Sequence, residues 1–338
     1  MTSEFGRRTL IKASGALLGA AAAGAYAIPS ASALTAGKPP VPGGDLAFLG
    51  VYCTPETAGS GLSGPEPLEA LLGRQFAVNH SFRSPYGAAW APVRDRMLAD
   101  KAAGRIPMLS YAAGGVDDLQ ALADGQRDAL IDGQATALVA LDTPVFMRFT
   151  WEFDSQTRYA GHAGLFVEAW RYAWERFQLK GATNVAWVWC PTRLAFGNGA
   201  ASDFYPGNGY VDWIAADGYS RPTEGPPLGP YPSFLELFTE ANIFAINHGK
   251  PFMVGETGVH RASDLATATE QSSWLDGIRD SLDQGRWANL KALVYYHLDG
   301  EGTSLPAHWQ VTVPPDGNAF QSFKSLAWHP RMKAVLPG

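Results

Sequence analysis

The feature that most constrains the fold of this chain is an alternation of short apolar runs with longer amphipathic stretches. Between the runs, apolar residues recur at helical spacing, most clearly over residues 163–179. The runs are rich in β-branched or aromatic residues, which favours strands. Alternating strands and helices predict parallel strands joined by crossover helices. The predicted strands are residues 46–52, 76–79, 106–111, 144–152, 184–190, 210–219, 250–256 and 291–298.

Eight such repeats predict an α/β fold, a single closed (β/α)8 TIM barrel. The length of 338 residues is typical of one such barrel, and a hydrophobic content of 46% allows a large core. An open doubly wound sheet is the alternative, and it would normally carry a glycine-rich phosphate loop after its first strand. Here that strand is followed by Cys53-Thr54-Pro55, which is no such loop.

The first 33 residues have the pattern of an export signal. Arg7 and Arg8 precede an apolar, alanine-rich run, and Ala31-Ser32-Ala33 is a small-residue cleavage motif. The paired arginines predict a twin-arginine-type signal peptide at residues 1–33, and therefore a secreted protein. A membrane anchor is the alternative, but the run is short and ends at Pro29, so we expect no stable membrane insertion after cleavage.

Two further segments follow the signal. Residues 34–44, rich in proline and glycine, predict a linker. Residues 45–338 predict the barrel, which is also the catalytic domain if the acids described below are used for chemistry. We expect this domain to be a monomer.

Charge and cysteine content argue against several classes of function. The formal net charge is −6, and the body of the chain has no basic run of the kind that nucleic-acid binding needs. We therefore expect no nucleic-acid partner and disfavour polyanions. Cys53 and Cys190 are too few for a disulfide framework, and two thiols are favoured over one bridge. No cluster of His, Asp and Glu has metal-ligand spacing, so we expect neither metal nor cofactor.

Two predicted strands end on a carboxylate. Glu152 ends the fourth strand and Glu256 the seventh, and a TIM barrel carries its chemistry at those ends. The two strands face each other across the barrel, so the carboxylates could lie about 5–5.5 Å apart, as in retaining glycosidases. One acid would attack the anomeric carbon while the other protonates the leaving oxygen. The alternative for each is a structural acid held by an arginine or by backbone amides.

Arg148 lies four residues before Glu152, and strand alternation predicts that the two share a face. Arg148 could hold either acid ionised, or it could form an ion pair that only stabilises the barrel. His80, at the predicted end of the second strand, is a candidate for lining the pocket or for a structural role. Trp189 is a further candidate for substrate contact, although core packing is more typical of such a residue.

The residues around both acids resemble glycoside hydrolase family 26, a clan A family of β-mannanases and related β-glycanases. The run Arg148-Phe149-Thr150-Trp151-Glu152-Phe153 resembles the acid/base strand of that family, and residues 250–258 resemble its nucleophile strand. Residues 166–172, 181–191 and 205–219 resemble the helix and strands between them. The resemblance covers most of the chain from Pro144 onward.

This resemblance implies that Glu152 is the acid/base, that Glu256 is the nucleophile, and that Tyr219 hydrogen-bonds the nucleophile at the −1 sugar. Simple packing in the barrel mouth is the alternative for Tyr219. The implied activity is retaining hydrolysis of a β-linked polysaccharide, most similar to that of endo-β-1,4-mannanases. Alternatives are another glycan (β-1,3-xylan, mixed-linkage β-glucan or a cell-wall polymer) or a catalytically weak barrel that binds glycan.

The chain departs from the family pattern at two places where the resemblance implies contact with the substrate. Trp151 stands where the family usually has histidine, and an indole can only donate one hydrogen bond or stack. On the eighth strand, Tyr296 or His297 takes the place of the usual tryptophan under the −1 sugar. We therefore count Trp151, Tyr296 and His297 among the candidate substrate-binding residues.

Overall fold

A computed structural model describes residues 37–53, 64–84, 90–155, 158–221, 231–261, 269–298, 308–313 and 317–336. The predicted signal peptide at residues 1–33 lies outside these residues. So do residues 34–36 of the predicted linker, whereas its residue Lys38 forms an ion pair with Asp212 at 2.8 Å. None of the described helices is both long enough and apolar enough to cross a membrane.

Eight parallel strands, each paired with the next, form a closed barrel. The last strand pairs with the first over six residues, from Phe48 opposite Ala292 to Cys53 opposite His297. The prediction of a (β/α)8 barrel is confirmed, and the open-sheet alternative is wrong. Strands β1 to β8 are Phe48–Cys53, Val78–Arg83, Ile106–Tyr111, Val145–Phe149, Val185–Trp189, Trp213–Ser220, Phe252–Val259 and Leu290–His297.

Helices lie between the strands and cover the outside of the barrel. The predicted helix at residues 163–179 has the same bounds in the structure, because its apolar positions at helical spacing, such as Phe166, Trp170 and Phe177, are all buried. Helices α1 to α10 are Glu66–Leu72, Trp90–Ala102, Val116–Ala123, Asp128–Val139, Ala163–Leu179, Arg193–Gly197, Ala200–Asp203, Phe234–Asn247, Thr269–Asp283 and Asn318–Ala327.

Side chains on each strand alternate between two apolar layers. One layer fills the inside of the barrel and contains Phe48, Phe146, Trp213 and Val294. The other, between strands and helices, contains their strand neighbours such as Leu49, Met147, Ile214 and Tyr295. Because both faces of a parallel sheet are buried, these strands read in the sequence as continuous apolar runs. The parity of a strand residue therefore decides whether its side chain reaches the barrel axis or the helices.

Three strands end at least three residues away from their predicted ends, and the other five end within one residue. Strand β4 ends at Phe149 and not at Glu152, because Thr150 and Glu152 have positive φ angles of 52° and 51°. Strands β2 and β7 continue to Arg83 and Val259, because their pairing with β3 and β6 continues past the predicted ends. His80 therefore lies within β2 rather than at its end.

Candidate active site

The carboxyl ends of the strands bring most of the predicted site residues together. Arg148 on β4, Tyr219 on β6, Glu256 on β7 and Tyr296 on β8 surround one cleft, and Glu152 reaches it from the turn after β4. All of them are buried or half-buried. The contacts among them come from four different strands, so only barrel closure could assemble them.

Both oxygens of the Glu256 carboxylate are held by donors. Arg148 Nη1 donates to Oε1 at 2.5 Å, and the Tyr219 hydroxyl donates to Oε2 at 2.6 Å. Burial, and then the Glu256 charge, hold the pKa of Tyr219 well above its usual range, so the phenol keeps the proton that it donates. A guanidinium and a phenol thus fix the position of the Glu256 carboxyl group.

Asp217 is a site residue that the sequence analysis missed. Arg148 Nη2 donates to Asp217 Oδ2, and the Cys190 thiol donates to Oδ1 at 3.1 Å. Burial raises the pKa of the Asp217 carboxyl, and the Arg148 guanidinium opposes that shift. The sequence does carry a signal for Asp217 as a site residue. It is an acid inside a predicted strand, and it lies two residues before Tyr219 and therefore on the same face. A register shift between Ala216 and Asp217 accompanies the inward position of this acid.

The turn that carries Glu152 has an unusual backbone. Thr150 and Glu152 both lie in the left-handed region, which is rare for residues other than glycine and strained for a β-branched one. Two backbone hydrogen bonds to neighbouring strands fix the turn, from Thr150 N to Tyr111 O at 2.8 Å and from Glu152 N to Cys190 O at 2.9 Å. The prediction that Arg148 and Glu152 share a strand face by alternation is wrong, because the strand has ended before Glu152.

Glu152 has an environment opposite to that of Glu256. Among the described residues, no side chain or backbone group donates a hydrogen bond to its carboxyl. Burial, together with the nearby Glu256 charge, raises the pKa of Glu152 to about 7, against the opposing influence of Arg148 and Arg158. Two carboxyl groups whose environments separate their protonation states can serve as an acid and an anion at the same pH.

Aromatic rings line the cleft beside the two acids. The Tyr296 ring stacks on Tyr52 with centroids 4.6 Å apart and 19° between planes, and it meets Tyr219 edge-on at 5.8 Å. Trp309 packs against the other side of Tyr219 at 4.7 Å. Of the two candidates on β8, Tyr296 has the inward parity and faces the cleft.

Trp151 is held between two side chains at the cleft. Its ring lies 5.1 Å from that of Phe82, and the Arg158 guanidinium carbon lies 4.5 Å from the centroid of the indole. A guanidinium stacked on an indole keeps its N–H edges available for a ligand. In this conformation, the Arg158 guanidinium covers one face of the Trp151 indole.

His80 lies below the acids inside the barrel. Its Nε2 is 2.7 Å from Ser110 Oγ and 3.5 Å from Arg148 Nη1, while its buried Nδ1 has no hydrogen-bond partner. Burial, and then the Arg148 charge, hold the pKa of His80 well below its usual value, so the ring is neutral. His80 therefore contacts Arg148, the residue that donates to Glu256, and does not contact Glu256 through a hydrogen bond of its own.

Two predicted substrate-binding residues face away from the cleft, and their assignment is corrected. Trp189 has outward parity, is 0% exposed, and packs against Phe153 and Phe244 while donating to Phe204 O at 3.1 Å. His297 also has outward parity, and its Nε2 lies 3.3 Å from Thr312 Oγ1. Strand alternation explains both positions, since each residue directly follows one that points inward.

The two cysteines and the possible metal ligands were also part of the sequence prediction. Cys53 and Cys190 are both thiols, as predicted, and no disulfide joins them. Burial raises the pKa of Cys190 well above its usual value, so it acts as a neutral donor to Asp217. Within the described part of the chain, no group of three or more His, Cys, Asp or Glu residues could hold a metal ion.

Comparison with known proteins points to one family. Residues 121–274, which include Glu152, Tyr219 and Glu256, match the model of Glycosyl hydrolase family 26. Endoglucanase H of Acetivibrio thermocellus is 23% identical over 74% of this chain and 27% of its own length. A β-1,3-xylanase of a Vibrio species is 27% identical over 45% of this chain and 32% of its own length. The chain thus spans about a third or less of these relatives.

A solved structure has the same fold. The catalytic domain of a family 26 endo-β-1,4-mannanase from Bacillus sp. JAMB-750 superimposes with a TM-score of 0.66 and 16% identity, covering 86% of this chain and 88% of that one. At this identity the likeness concerns the barrel alone.

Proposed function

We propose that this chain, whose residues 121–274 match the model of Glycosyl hydrolase family 26, is a secreted, retaining β-glycanase that uses Glu256 as nucleophile and Glu152 as acid/base. The observation that carries this proposal is the contrast between the two carboxyl groups. Glu256 is held by Arg148 and Tyr219, whereas the pKa of Glu152 is raised to about 7.

In the first step, the Glu256 carboxylate attacks the anomeric carbon as the glycosidic C–O bond breaks. The leaving oxygen takes the proton of Glu152, so the glycan fragment leaves neutral and Glu152 becomes a carboxylate. Glu256 loses its negative charge when it bonds to the anomeric carbon. The charge that Glu152 acquires in the same step is therefore less costly. Arg148 and Tyr219 stabilise and orient the attacking group before the bond forms.

In the second step, Glu152 acts as a base. It takes a proton from water, the water oxygen attacks the anomeric carbon, and the bond to Glu256 breaks. Two inversions at one carbon give net retention, and both carboxyl groups return to their starting protonation states.

The proposed substrate is a β-1,4-linked mannan, cleaved in an endo fashion, and β-1,3-xylan is the second candidate. Mannanases of this family share the fold, and a β-1,3-xylanase is among the relatives by sequence. Tyr296 stacked on Tyr52 provides the flat aromatic surface on which the −1 sugar would rest. Trp151 and Arg158 then lie next to the acid/base, where they would contact the leaving-group side.

Mass spectrometry after incubation with activated 2-fluoro glycosides of mannose, xylose and glucose tests this proposal. We expect one sugar to form a covalent adduct on Glu256, which would identify both the nucleophile and the −1 sugar. Glu256→Gln should form no adduct. Glu240→Gln, a change to an exposed carboxylate on α8, should react like the unmodified chain.

Turnover of polysaccharide gives the second test. Glu152→Gln and Glu256→Gln should each lower kcat by several orders of magnitude while the far-ultraviolet circular dichroism remains unchanged. Near-normal activity in either folded variant would rule out the assigned roles. Oligosaccharide binding without any cleavage or adduct would instead favour a glycan-binding barrel.

A further inference from the structure

A cluster of basic side chains lies where β6 and β7 end, beside the cleft but apart from the catalytic pair. Backbone hydrogen bonds fix its position: His260 N donates to Ser220 O at 2.8 Å, and Arg261 N donates to His308 O at 2.9 Å. His308 N donates to His260 Nδ1 at 3.3 Å. Three separate segments of the chain thus bring four basic residues together: Arg221, His260, Arg261 and His308.

Aromatic contacts join this basic cluster to the cleft. The His260 ring lies 5.9 Å from Trp309, and Trp309 lies 4.7 Å from Tyr219, the residue that donates to Glu256. The basic cluster is therefore two ring contacts away from Tyr219, the donor to the proposed nucleophile.

Arg261 is the member of the basic cluster that most needs a partner. Its side chain is only 8% exposed, and its Nη1 is a buried atom without a hydrogen-bond partner. Burying an uncompensated cation is costly. By contrast, the buried Arg105 and Arg148 each pair with at least two carboxylates. Within the described residues, no salt bridge involves Arg221, His260 or Arg261.

The basic cluster also concentrates positive charge in a chain whose net charge is −6. Burial, reinforced by the charges of His308, Arg221 and Arg261, lowers the pKa of His260. An anion bound among these side chains would favour the imidazolium form and raise that pKa again. Because His260 Nδ1 accepts from His308 N, its Nε2 carries the proton and can donate to such an anion.

We propose that Arg221, His260 and Arg261 bind an oxyanion on the glycan, a carboxylate or a sulfate ester, so that the enzyme acts on an acidic polysaccharide. This inference rests on the proposed hydrolase function and names its substrate class. Guanidinium groups bind carboxylate and sulfate through paired N–H donors. Net negative charge disfavours polyanions only at long range, since charges are screened beyond about 8 Å at physiological salt.

Nuclear magnetic resonance of the 15N-histidine-labelled chain tests this site without requiring hydrolysis. The chain is titrated with sodium glucuronate, sodium sulfate or glucose at constant ionic strength. We expect a saturable shift of the His260 imidazole signals toward the protonated form with an anion, and none with glucose. Response to glucuronate alone identifies a uronic acid, response to sulfate alone identifies a sulfate ester, and response to both identifies a general oxyanion site.

Two substitutions connect the signal to the basic cluster. Arg261→Met and Arg221→Ala should each weaken anion binding at least about tenfold, the effect of losing a charged hydrogen bond. Arg94→Ala, which removes a surface arginine paired with Asp95, is the matched control and should bind as the unmodified chain does. Arg261→Met should keep or raise the Tm, because it removes an unpaired buried cation.

Absence of a saturable shift with either anion, or an equal shift with glucose, would overturn the proposal. So would unchanged anion affinity in Arg221→Ala, an exposed position that tests the site even if Arg261→Met does not fold. Loss of Tm in Arg261→Met with retained anion affinity would assign Arg261 a structural role instead. Anion binding in a chain that hydrolyses nothing would refute the hydrolase function, whereas hydrolysis without anion binding would refute only this site.

Discussion

At the scale of single residues, the proposed chemistry depends on two glutamates, Glu152 and Glu256, whose carboxyl groups have different surroundings. Glu256 accepts hydrogen bonds from Arg148 and Tyr219, while Glu152 is buried close to the Glu256 charge with no such donors among the described residues. The energetic cost of ionising Glu152 keeps its carboxyl protonated to higher pH, as the proposed role of proton donor requires. This contrast leads to three predictions.

The first concerns pH. The acid must be protonated for the first step, so kcat/KM should fall as pH rises through about 7, the pKa of Glu152. Carbon-detected titration of the Glu152 carboxyl should show that pKa, and Glu256→Gln should lower it by removing a neighbouring negative charge. A Glu152 pKa that is unchanged in Glu256→Gln would contradict the electrostatic coupling.

The same shift has a consequence for stability. The folded pKa lies above that of the unfolded chain, so the folded state binds more protons between about pH 4.5 and 7 and loses stability as pH rises through that window. Glu152→Gln should therefore stabilise the chain above pH 7 by about 3 kcal/mol, with little gain near pH 4. Thermal unfolding at both pH values checks this, and an equal gain at both would exclude the linkage.

The third prediction concerns Tyr219. Tyr219→Phe removes a hydrogen bond to the Glu256 carboxylate and should lower kcat/KM about 10- to 100-fold, because hydrogen bonds to charged groups contribute about 1.5–3 kcal/mol. Tyr205→Phe, which removes a hydroxyl bonded to Asn208, is the matched control and should leave kcat/KM unchanged. Equal activity in the two variants would assign Tyr219 to packing alone.

At the scale of elements, neighbouring strands position the site by how closely they approach. Gly255 on β7 lies so near β5 and β6 that an added Cβ would be 2.6 Å from Asp217 Oδ1 and 2.8 Å from Cys190 Sγ. These are the atoms that join Cys190 to Asp217, and Asp217 in turn holds Arg148. The absence of a side chain at Gly255 is thus a condition for the buried hydrogen-bond network.

Gly255→Ala should therefore displace Asp217, cost about 1–3 kcal/mol of stability and lower activity. Gly133→Ala in α4 has open space around its Cβ and should stabilise the chain by about 0.5–1 kcal/mol, as expected for alanine inside a helix. Denaturant unfolding of the pair separates steric conflict from the general effect of alanine. Tolerance of Gly255→Ala without loss of activity would show that the network is not needed for catalysis.

At the scale of the whole molecule, the sequence pattern of residues 1–33 predicts an export signal in addition to the barrel. We propose that residues 1–33 direct the folded chain out of the cell. The double substitution Arg7→Lys and Arg8→Lys should retain the protein inside an expressing host, and the exported protein should begin at Leu34. Fractionation and N-terminal sequencing check this, and unchanged export of the double variant would rule out the twin-arginine route.

The sequence by itself determined the barrel fold, and it determined the exact bounds of one helix, α5. Strand and helix periodicities are local properties, so apolar runs between amphipathic stretches sufficed to predict eight parallel strands and the bounds of α5. It also drew attention to Glu152 and Glu256, because acids next to apolar strands are unusual. Their chemical roles stay predictions that the experiments above address.

Only the tertiary structure decided which side chains meet. Arg148 bonds Glu256 across 108 positions of sequence and Asp217 across 69, contacts that exist only after the barrel closes. Because side chains alternate along each strand, Trp189 and His297 point outward and Tyr296 points inward. The left-handed backbone at Thr150 and Glu152 directs the Glu152 side chain toward the cleft. Strand ends, side-chain direction and proximity depend on pairing with distant strands, and no local pattern carries that information.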